Sequence, residues 1–336
     1  MCVSLPILDL ALFDSADREA FLRDLRLAAR DYGFFYLRGH GLSLQYQQDM
    51  LLLAEQFFAL SGAEKTAVAM VNSPHFRGYT RLGGELTAGR ADQREQFDIM
   101  NEGLAALDPQ PAWRRLRGPN QWPASLPALK PGLLLWQDAL SDICERLMQA
   151  FALALGQPAD IFAPLYRGEP FQHLKMIRYP GSKQAEQGVG AHKDAGLLTL
   201  VMQDTQSGLQ VATAGGWLDA PPVPGTFVVN IGELLELSSN GYLRATVHRV
   251  VSPPAGVERL SYAFFMGPRL DATVPQLQLP AALAQEVQGE ASDPANPLFS
   301  HVGENVLKGR MRSHPDVAAR HYSDTSFASQ PVAPVY

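Results

Sequence analysis

The feature that most restricts the fold is the texture of the chain between Phe171 and Met266. Short apolar or alternating runs follow one another there: FQHLKMIRY, VGAHKD, LLTLVMQD, GLQV, TFVVNI, YLRATVHRVV and ERLSYAFFM. Gly, Pro or Asn punctuates several of the gaps, as in PPVPG and SSNG. Runs this short, separated by turn residues with little room for helix, specify an antiparallel barrel or sandwich. Residues two apart on such strands share a face, so each run also tells which side chains share an interior.

Ahead of this region the pattern is mostly helical, with a short strand on each side of the first helix. Ser15 is placed to cap that helix, with Asp17 and Glu19 in its first turn, Phe21, Leu25 and Ala28 on one face, and Gly33 at its end. FFYL, residues 34–37, reads as a strand. A second helix starts near Ser43 and aligns Met50, Ala54, Phe57 and Phe58 as a packing stripe. The Pro/Gly-rich stretch from Gly103 to Gly132 reads as a loop, and a long helix carrying Leu135, Ile143, Leu147 and Ala150 follows, closed by Gly156 and Pro158. Beyond Pro268 the pattern weakens, with a helix expected from Glu304 to Met311. The expected organisation is a mostly helical region 1–165 packed on a β core, the core with a C-terminal helix over 166–322, and a tail 323–336.

A chain of 336 residues with 46% hydrophobic and 18% charged residues can bury a sizeable core and is globular. Its net charge of −6, without long blocks of one sign, excludes nucleic acid or an anionic membrane as the main partner and leaves a small molecule. The 2 cysteines, Cys2 and Cys144, give no disulfide framework and favour a reducing compartment, with Cys144 expected in the core. The first residues lack a basic leader segment, and no apolar run nears the roughly 18 residues of a membrane span, so the expected location is the cytoplasm.

Against that background AHKDAGLLTL, residues 191–200, stands out. On an extended strand His192 and Asp194 converge while Lys193 points away, and Gly190, Ala191, Ala195 and Gly196 leave space beside them. His-x-Asp alone also describes a hydrogen-bonded pair at a strand end. Of the 8 histidines, the one after His192 that lies inside a strong strand pattern is His248, in ATVHRVV. Two imidazoles and one carboxylate with the opposite face open describe a non-haem Fe(II) oxygenase site, and zinc accepts the same ligand types. One carboxylate and two neutral imidazoles leave a divalent metal one net positive charge, which a chelating 2-oxo acid offsets. Further along, Arg259 and Ser261 share a strand face in ERLSYAFF and suit the far carboxylate of a dicarboxylate, against the alternative of a surface ion pair.

Taken together, the chain resembles the isopenicillin N synthase-like branch of the Fe(II)/2-oxoglutarate-dependent oxygenases. The similarity runs in order over most of residues 4–322, through LPILDL, DYGFFYLRGHGL, EQFFALSGAEK, FRGYTRLGGE, REQFDI, GPNQWP, LKMIRYP, the HKD motif, NIGELLE, HRVVSP and RLSYAFF. RSHPDVAARHY is similar to bacterial members. The resemblance implies a mainly β fold with α, a double-stranded β-helix (jelly roll) core with an N-terminal helical region and flanking helices. It implies that His192, Asp194 and His248 bind Fe(II), that Arg259 and Ser261 hold the C5 carboxylate of 2-oxoglutarate, and that Tyr179 donates to the cosubstrate or substrate. Arg77, in FRGY, falls at a substrate-carboxylate position, and Phe265, on the Arg259 face, at the apolar lining.

Two departures stand out: Ile177-Arg178-Tyr179-Pro180 occurs where plant relatives often have Asn-x-Tyr-Pro, and Lys193 replaces the commoner Thr or Ser. The implied activity is oxidation of a small molecule by hydroxylation, desaturation or cyclisation, with 2-oxoglutarate and O₂ going to succinate and CO₂. The alternatives are an oxidase that does not use 2-oxoglutarate, an ethylene-forming oxygenase, and a non-catalytic metal-binding barrel.

Overall fold

The computed structural model describes residues 4–183, 187–287, 289 and 297–325; most of the expected tail lies outside them. Its strands are β1 (Ile7–Asp9), β2 (Phe34–Arg38), β3 (Gly78–Thr80), β4 (Leu86–Thr87), β5 (Arg90–Ala91), β6 (Glu95–Met100) and β7 (Phe171–Tyr179). They continue with β8 (Gln187–His192), β9 (Leu198–Gln203), β10 (Leu209–Thr213), β11 (Gly216–Asp219), β12 (Phe227–Ile231), β13 (His248–Val251) and β14 (Arg259–Gly267). The major sheet runs β1-β2-β12-β9-β14-β7-β6-β3 and the minor one β11-β10-β13-β8. The two sheets form the jelly roll that the resemblance implies, within the barrel-or-sandwich class suggested by the run of short strands.

Alternation along the strands sorts side chains between the two faces of the major sheet. Phe34, Tyr36, Ile177, Val228 and Ala263 point inward and meet Val189, Leu209, Val211 and Val250 of the minor sheet. Their neighbours Phe35, Leu37, Met176, Val229 and Phe264 point outward under the helices. Those helices include α1 (Arg18–Asp31), α2 (Leu44–Phe58), α3 (Gly62–Ala67) and α4 (Leu129–Ala154). In α4, Leu129, Leu133, Trp136, Leu140, Leu147 and Phe151 repeat at helical spacing and are fully buried, each stabilising the fold by about 1.5–3 kcal/mol relative to exposure.

Several boundaries differ from the sequence expectation. Ser15 ends a 3₁₀ turn, and its hydroxyl accepts from the Asp17 N–H, so α1 begins only at Arg18. Ser43 does cap α2, accepting from the Tyr46 N–H at 3.0 Å. The 103–132 stretch contains a 3₁₀ turn, Ala112–Leu116, and its end is already α4: Pro131 sits in the first turn, where a missing N–H costs nothing. Gly33 is required where it stands, since φ is +68° and a Cβ would come within 2.3 Å of the Arg244 carbonyl oxygen. The N-terminal region also does more than pack on the core. Its β2 pairs with β12 and its β6 with β7, so it widens the major sheet on both sides.

Candidate metal centre

His192 closes β8 and His248 opens β13, and the two are direct cross-strand partners. Their rings lie 4.3 Å apart. Asp194 stands two residues beyond the end of β8, so it reaches the same point through a turn rather than by strand alternation. One ligand atom from each of the three lies within 4.8 Å of the others.

Hydrogen bonds fix which atoms face that point. His192 Nδ1–H donates to the Gly190 carbonyl at 2.8 Å and His248 Nδ1–H to the Thr246 carbonyl at 3.1 Å; a carbonyl can only accept, so in the neutral rings Nε2 is the atom with the lone pair. Burial opposes protonation of His192 but the Asp194 carboxylate outweighs it and raises the ring, so a metal at this point would displace a proton from His192. These Nε2 atoms stand 3.4 and 3.7 Å from Asp194 Oδ1 and Oδ2. Asp194 Oδ2 is held by Thr199 Oγ1 at 2.6 Å and Asn230 Nδ2 at 2.8 Å, which leaves Oδ1 for a metal. Asp92 steadies β8 beside them, accepting from the Gly190 N–H and the Gln187 amide. Burial pushes His248 down to about 4, helped by the charge of His192, so it is neutral and able to ligate at pH 7. Burial works against ionisation of Asp194, but the neighbouring His248 and His192 rings, which attract a carboxylate whenever they carry a proton, and the bond from Thr199 hold it far below the usual carboxylate range. Two lone pairs and one oriented carboxylate oxygen fit a divalent metal with an open face.

The two long strands of the major sheet lay out the interior as a ladder, with Arg259 opposite Tyr179, Ser261 opposite Ile177, Ala263 opposite Lys175 and Phe265 opposite His173. Arg259 is 1% exposed, with its guanidinium 4.9 Å from the centre of the Tyr179 ring. It donates to Gln203 Oε1 at 2.9 Å, the Gln206 carbonyl at 3.2 Å and Ser261 Oγ at 3.4 Å. All three acceptors are neutral, and no carboxylate lies within ion-pair distance among the described residues. At the other end, Phe265 stacks on His173, with ring centres 5.2 Å apart.

A cavity of about 320 Å³ opens beside the triad, lined by His192, Asp194, Phe265, His173, Lys175 and Arg310, among others. Its outer wall comes from the helix Val302–Ser313. Ala195 and Gly196 line it as well, although Gly196 also serves packing: a Cβ on Gly232 would meet its carbonyl oxygen at 2.1 Å. Lys193 turns aside to Glu236 at 3.0 Å.

Arg77 is not in this cavity. Phe76 takes a left-handed φ of +57°, its carbonyl accepts from Arg310, and the Arg77 side chain goes into a separate cavity. Arg77, expected at a substrate-carboxylate position, thus lines the second cavity and not the triad cavity, whose cations include Arg94, Lys175 and Arg310. The sequence reading also missed Thr199, Asn230, Glu85 and Asp98. Only the His173, Lys175 and Tyr179 alternation of FQHLKMIRY signalled a polar inner face.

Comparison with known proteins bears on the same regions. Residues 5–125 match the family described as non-haem dioxygenase in morphine synthesis N-terminal, and residues 170–268 match the 2OG-Fe(II) oxygenase superfamily. The chain is 35% identical to a 2-oxoglutarate-dependent dioxygenase of Dothideomycetidae sp. (strain 11243), over 94% of this chain and 91% of that one. It is also 35% identical to a homoarginine-6-hydroxylase of Glycine max, covering 82% and 88%. Among solved structures, a 2OG-Fe(II) oxygenase family protein from Caulobacter crescentus superposes with TM-score 0.75 at 28% identity, covering 91% of this chain and 98% of that one. A full-length Neurospora crassa protein in complex with alpha-KG superposes with TM-score 0.75 at 25% identity, covering 91% and 95%.

Proposed function

Given that the chain belongs to the 2OG-Fe(II) oxygenase superfamily, we propose that His192, Asp194 and His248 hold its Fe(II), that Arg259, Ser261 and Tyr179 hold 2-oxoglutarate, and that a small polar substrate occupies the cavity beside Phe265. The protein is an oxidoreductase, a non-haem dioxygenase that uses 2-oxoglutarate and O₂ to oxidise a small molecule. The observation that carries the residue assignment is the convergence of His192, Asp194 and His248, one ligand atom of each within 4.8 Å of the others, with both Nδ1 atoms and Asp194 Oδ2 already engaged from behind.

Bound Fe(II) supplies O₂ activation coupled to decarboxylation of 2-oxoglutarate to succinate and CO₂. The protein's own residues do the positioning. Thr199 and Asn230 fix the Asp194 carboxylate, and the two backbone carbonyls fix the ring tautomers. Thr199 and Gln203 lie four residues apart on β9, about 13 Å of strand, and contact Asp194 and Arg259 respectively. One strand thus ties the proposed metal ligand Asp194 to the guanidinium proposed for the far carboxylate. Phe265 on His173 keeps water from the reacting centre.

The charged wall of Glu85, Arg94, Lys175 and Arg310 supports a polar substrate over a hydrocarbon, and the homoarginine-6-hydroxylase relatives make basic amino acids the first class to try. The run of motifs from LPILDL to RLSYAFF supports the isopenicillin N synthase-like branch, and RSHPDVAARHY alone supports a bacterial origin. Scarce cysteine supports a cytoplasmic site. The test is succinate release by the Fe(II)-loaded enzyme across a metabolite panel that includes homoarginine, with ethylene measured alongside. Substrate-dependent succinate without ethylene supports the reading. Turnover without succinate points to an oxidase, and ethylene points to fragmentation of 2-oxoglutarate itself.

A further inference from the structure

The structure has four buried arginines among its described residues: Arg77, Arg94, Arg259 and Arg310. Arg94 contacts Glu85 and Asp92, and Arg310 contacts Asp98. Arg259 and Arg77 contact no carboxylate among the described residues. Arg259 has its counterpart in the cosubstrate; Arg77 has none so far. It is 2% exposed, its Nη2 donates to the Leu116 carbonyl at 3.0 Å, and its Nε and Nη1 are buried without any partner. Burial pulls it down to about 10, which still leaves it charged at neutral pH. A guanidinium removed from water with two donor nitrogens idle is strongly disfavoured unless an anion meets it.

Arg77 lines a cavity of about 380 Å³, within the size range of small-molecule sites. Of the other charges lining the cavity, Arg114 pairs with Asp108 at 2.9 Å, Arg117 with Glu169 at 3.2 Å and Asp271 with Arg269 at 3.1 Å, and Glu102 and Glu169 attract Arg77 only from beyond ion-pair distance. Arg77 is left over. The rest of the lining is largely apolar, with Trp113, Leu116, Phe171 and Leu270 inside and Leu104 and Leu107 at the rim. Those two leucines are 91% and 104% exposed, an unfavourable placement that an apolar ligand would relieve. Phe171 lines this cavity and the triad cavity, whereas Arg77 lines only this one of the two.

We propose that this second cavity binds a small amphiphilic acid, its carboxylate on Arg77 and its apolar part against Trp113, Leu270 and the two rim leucines. The site is separate from the metal centre, so the inference stands or falls independently of the oxygenase assignment. The probes are octanoate and the uncharged octan-1-ol, measured by equilibrium dialysis against the full chain and three variants.

Octanoate should bind the wild type and His192→Ala equally and Arg77→Gln at least about tenfold more weakly, with octan-1-ol at least about tenfold weaker than octanoate on the wild type. Leu107→Asp, a change at a solvent-exposed position, should weaken octanoate severalfold without altering the fold. No saturable octanoate binding by roughly millimolar concentration would overturn the proposal, as would equal binding to Arg77→Gln or loss of binding in His192→Ala. Should circular dichroism show Arg77→Gln unfolded, equal affinity for octan-1-ol and octanoate, or an unaffected Leu107→Asp, would overturn it instead.

Discussion

Two walls of the same jelly roll carry charged groups and use them differently. On the minor sheet, His192, His248 and the adjoining Asp194 are each held from behind by a carbonyl, hydroxyl or amide, and their remaining lone pairs face a common point. On the major sheet and its neighbours, the charges satisfy each other. Lys175 Nζ donates to both oxygens of Glu85 at 2.7 and 2.9 Å, Arg94 adds a third bond to Glu85 at 2.7 Å, and Asp98 takes His173 and Arg310 at 3.0 Å each. One wall is incomplete without an added ion; the other is closed on itself. On the assignment proposed above the first is the reactive centre, and the second is a polar side to the cavity beside it.

The largest effect expected from breaking this contrast is on the open wall. Asp194→Ala removes the only anionic ligand of the triad and should lower Fe(II)-dependent succinate formation by about a thousandfold or more while the folded far-UV spectrum persists. Fe(II)-dependent turnover within a few fold of wild type would show that the ligand set is misassigned. On the closed wall the same kind of change should act on stability instead. Lys175→Met leaves Glu85 and Asp98 short of a buried cation and should cost on the order of 3 kcal/mol, read as a lower denaturant midpoint with little change in iron affinity. An unchanged midpoint would mean that the network contributes no stability through Lys175.

Arg259 belongs to neither wall entirely, since it is buried but held only by neutral acceptors. Arg259→Ala should raise the KM for 2-oxoglutarate by roughly 10- to 100-fold with a smaller change in kcat, because it removes a charge-assisted grip on the far carboxylate. An unchanged KM would detach Arg259 from the cosubstrate. Arg259→Lys tests the geometry, since it restores the charge without the flat fork and should recover only part of the loss.

How much of this is legible in the sequence follows from the range over which each signal acts. Period-two alternation is local, so it places Arg259, Ser261 and Phe265 on one face and makes the short runs read as a barrel or sandwich, while the jelly roll itself comes from the resemblance. His248 follows from strand pattern, and the β13–β8 register then sets it beside His192. Asp194 lies beyond its strand, so its orientation depends on Thr199 and Asn230 from β9 and β12, which no local pattern couples to it. The closed wall is invisible for the same reason at greater distance: Glu85 in a loop, Asp98 on β6, Lys175 on β7 and Arg310 on a C-terminal helix meet only in the folded chain. The surroundings of Arg77 are not legible because a motif fixes position along the chain and not the direction of a side chain, which here follows a left-handed Phe76 and lines the second cavity.

The finest test of the contrast uses one histidine from each wall. Burial pushes His173 down to about 4, with Arg310 and Lys175 adding to the effect and the bond to Asp98 opposing it, and burial pushes His248 to about 4 as well. Both have folded values below the unfolded value of roughly 6.5, so below that pH the unfolded chain takes protons that the native one refuses. Each histidine therefore lowers stability progressively as pH falls from about 6.5 to about 4, a loss on the order of 3 kcal/mol per residue at its full extent. Carboxylates held low, such as Asp98, lose their contribution only below about 4, so the windows separate. On the proposed ligand set Fe(II) competes with protons for His248 and leaves His173 alone. His173→Gln should therefore flatten the wild-type decline between pH 6.5 and 4 to the same extent with and without Fe(II), measured as the difference in unfolding free energy along the pH series. If the flattening appeared only in the metal-free protein, His173 would belong to the open wall.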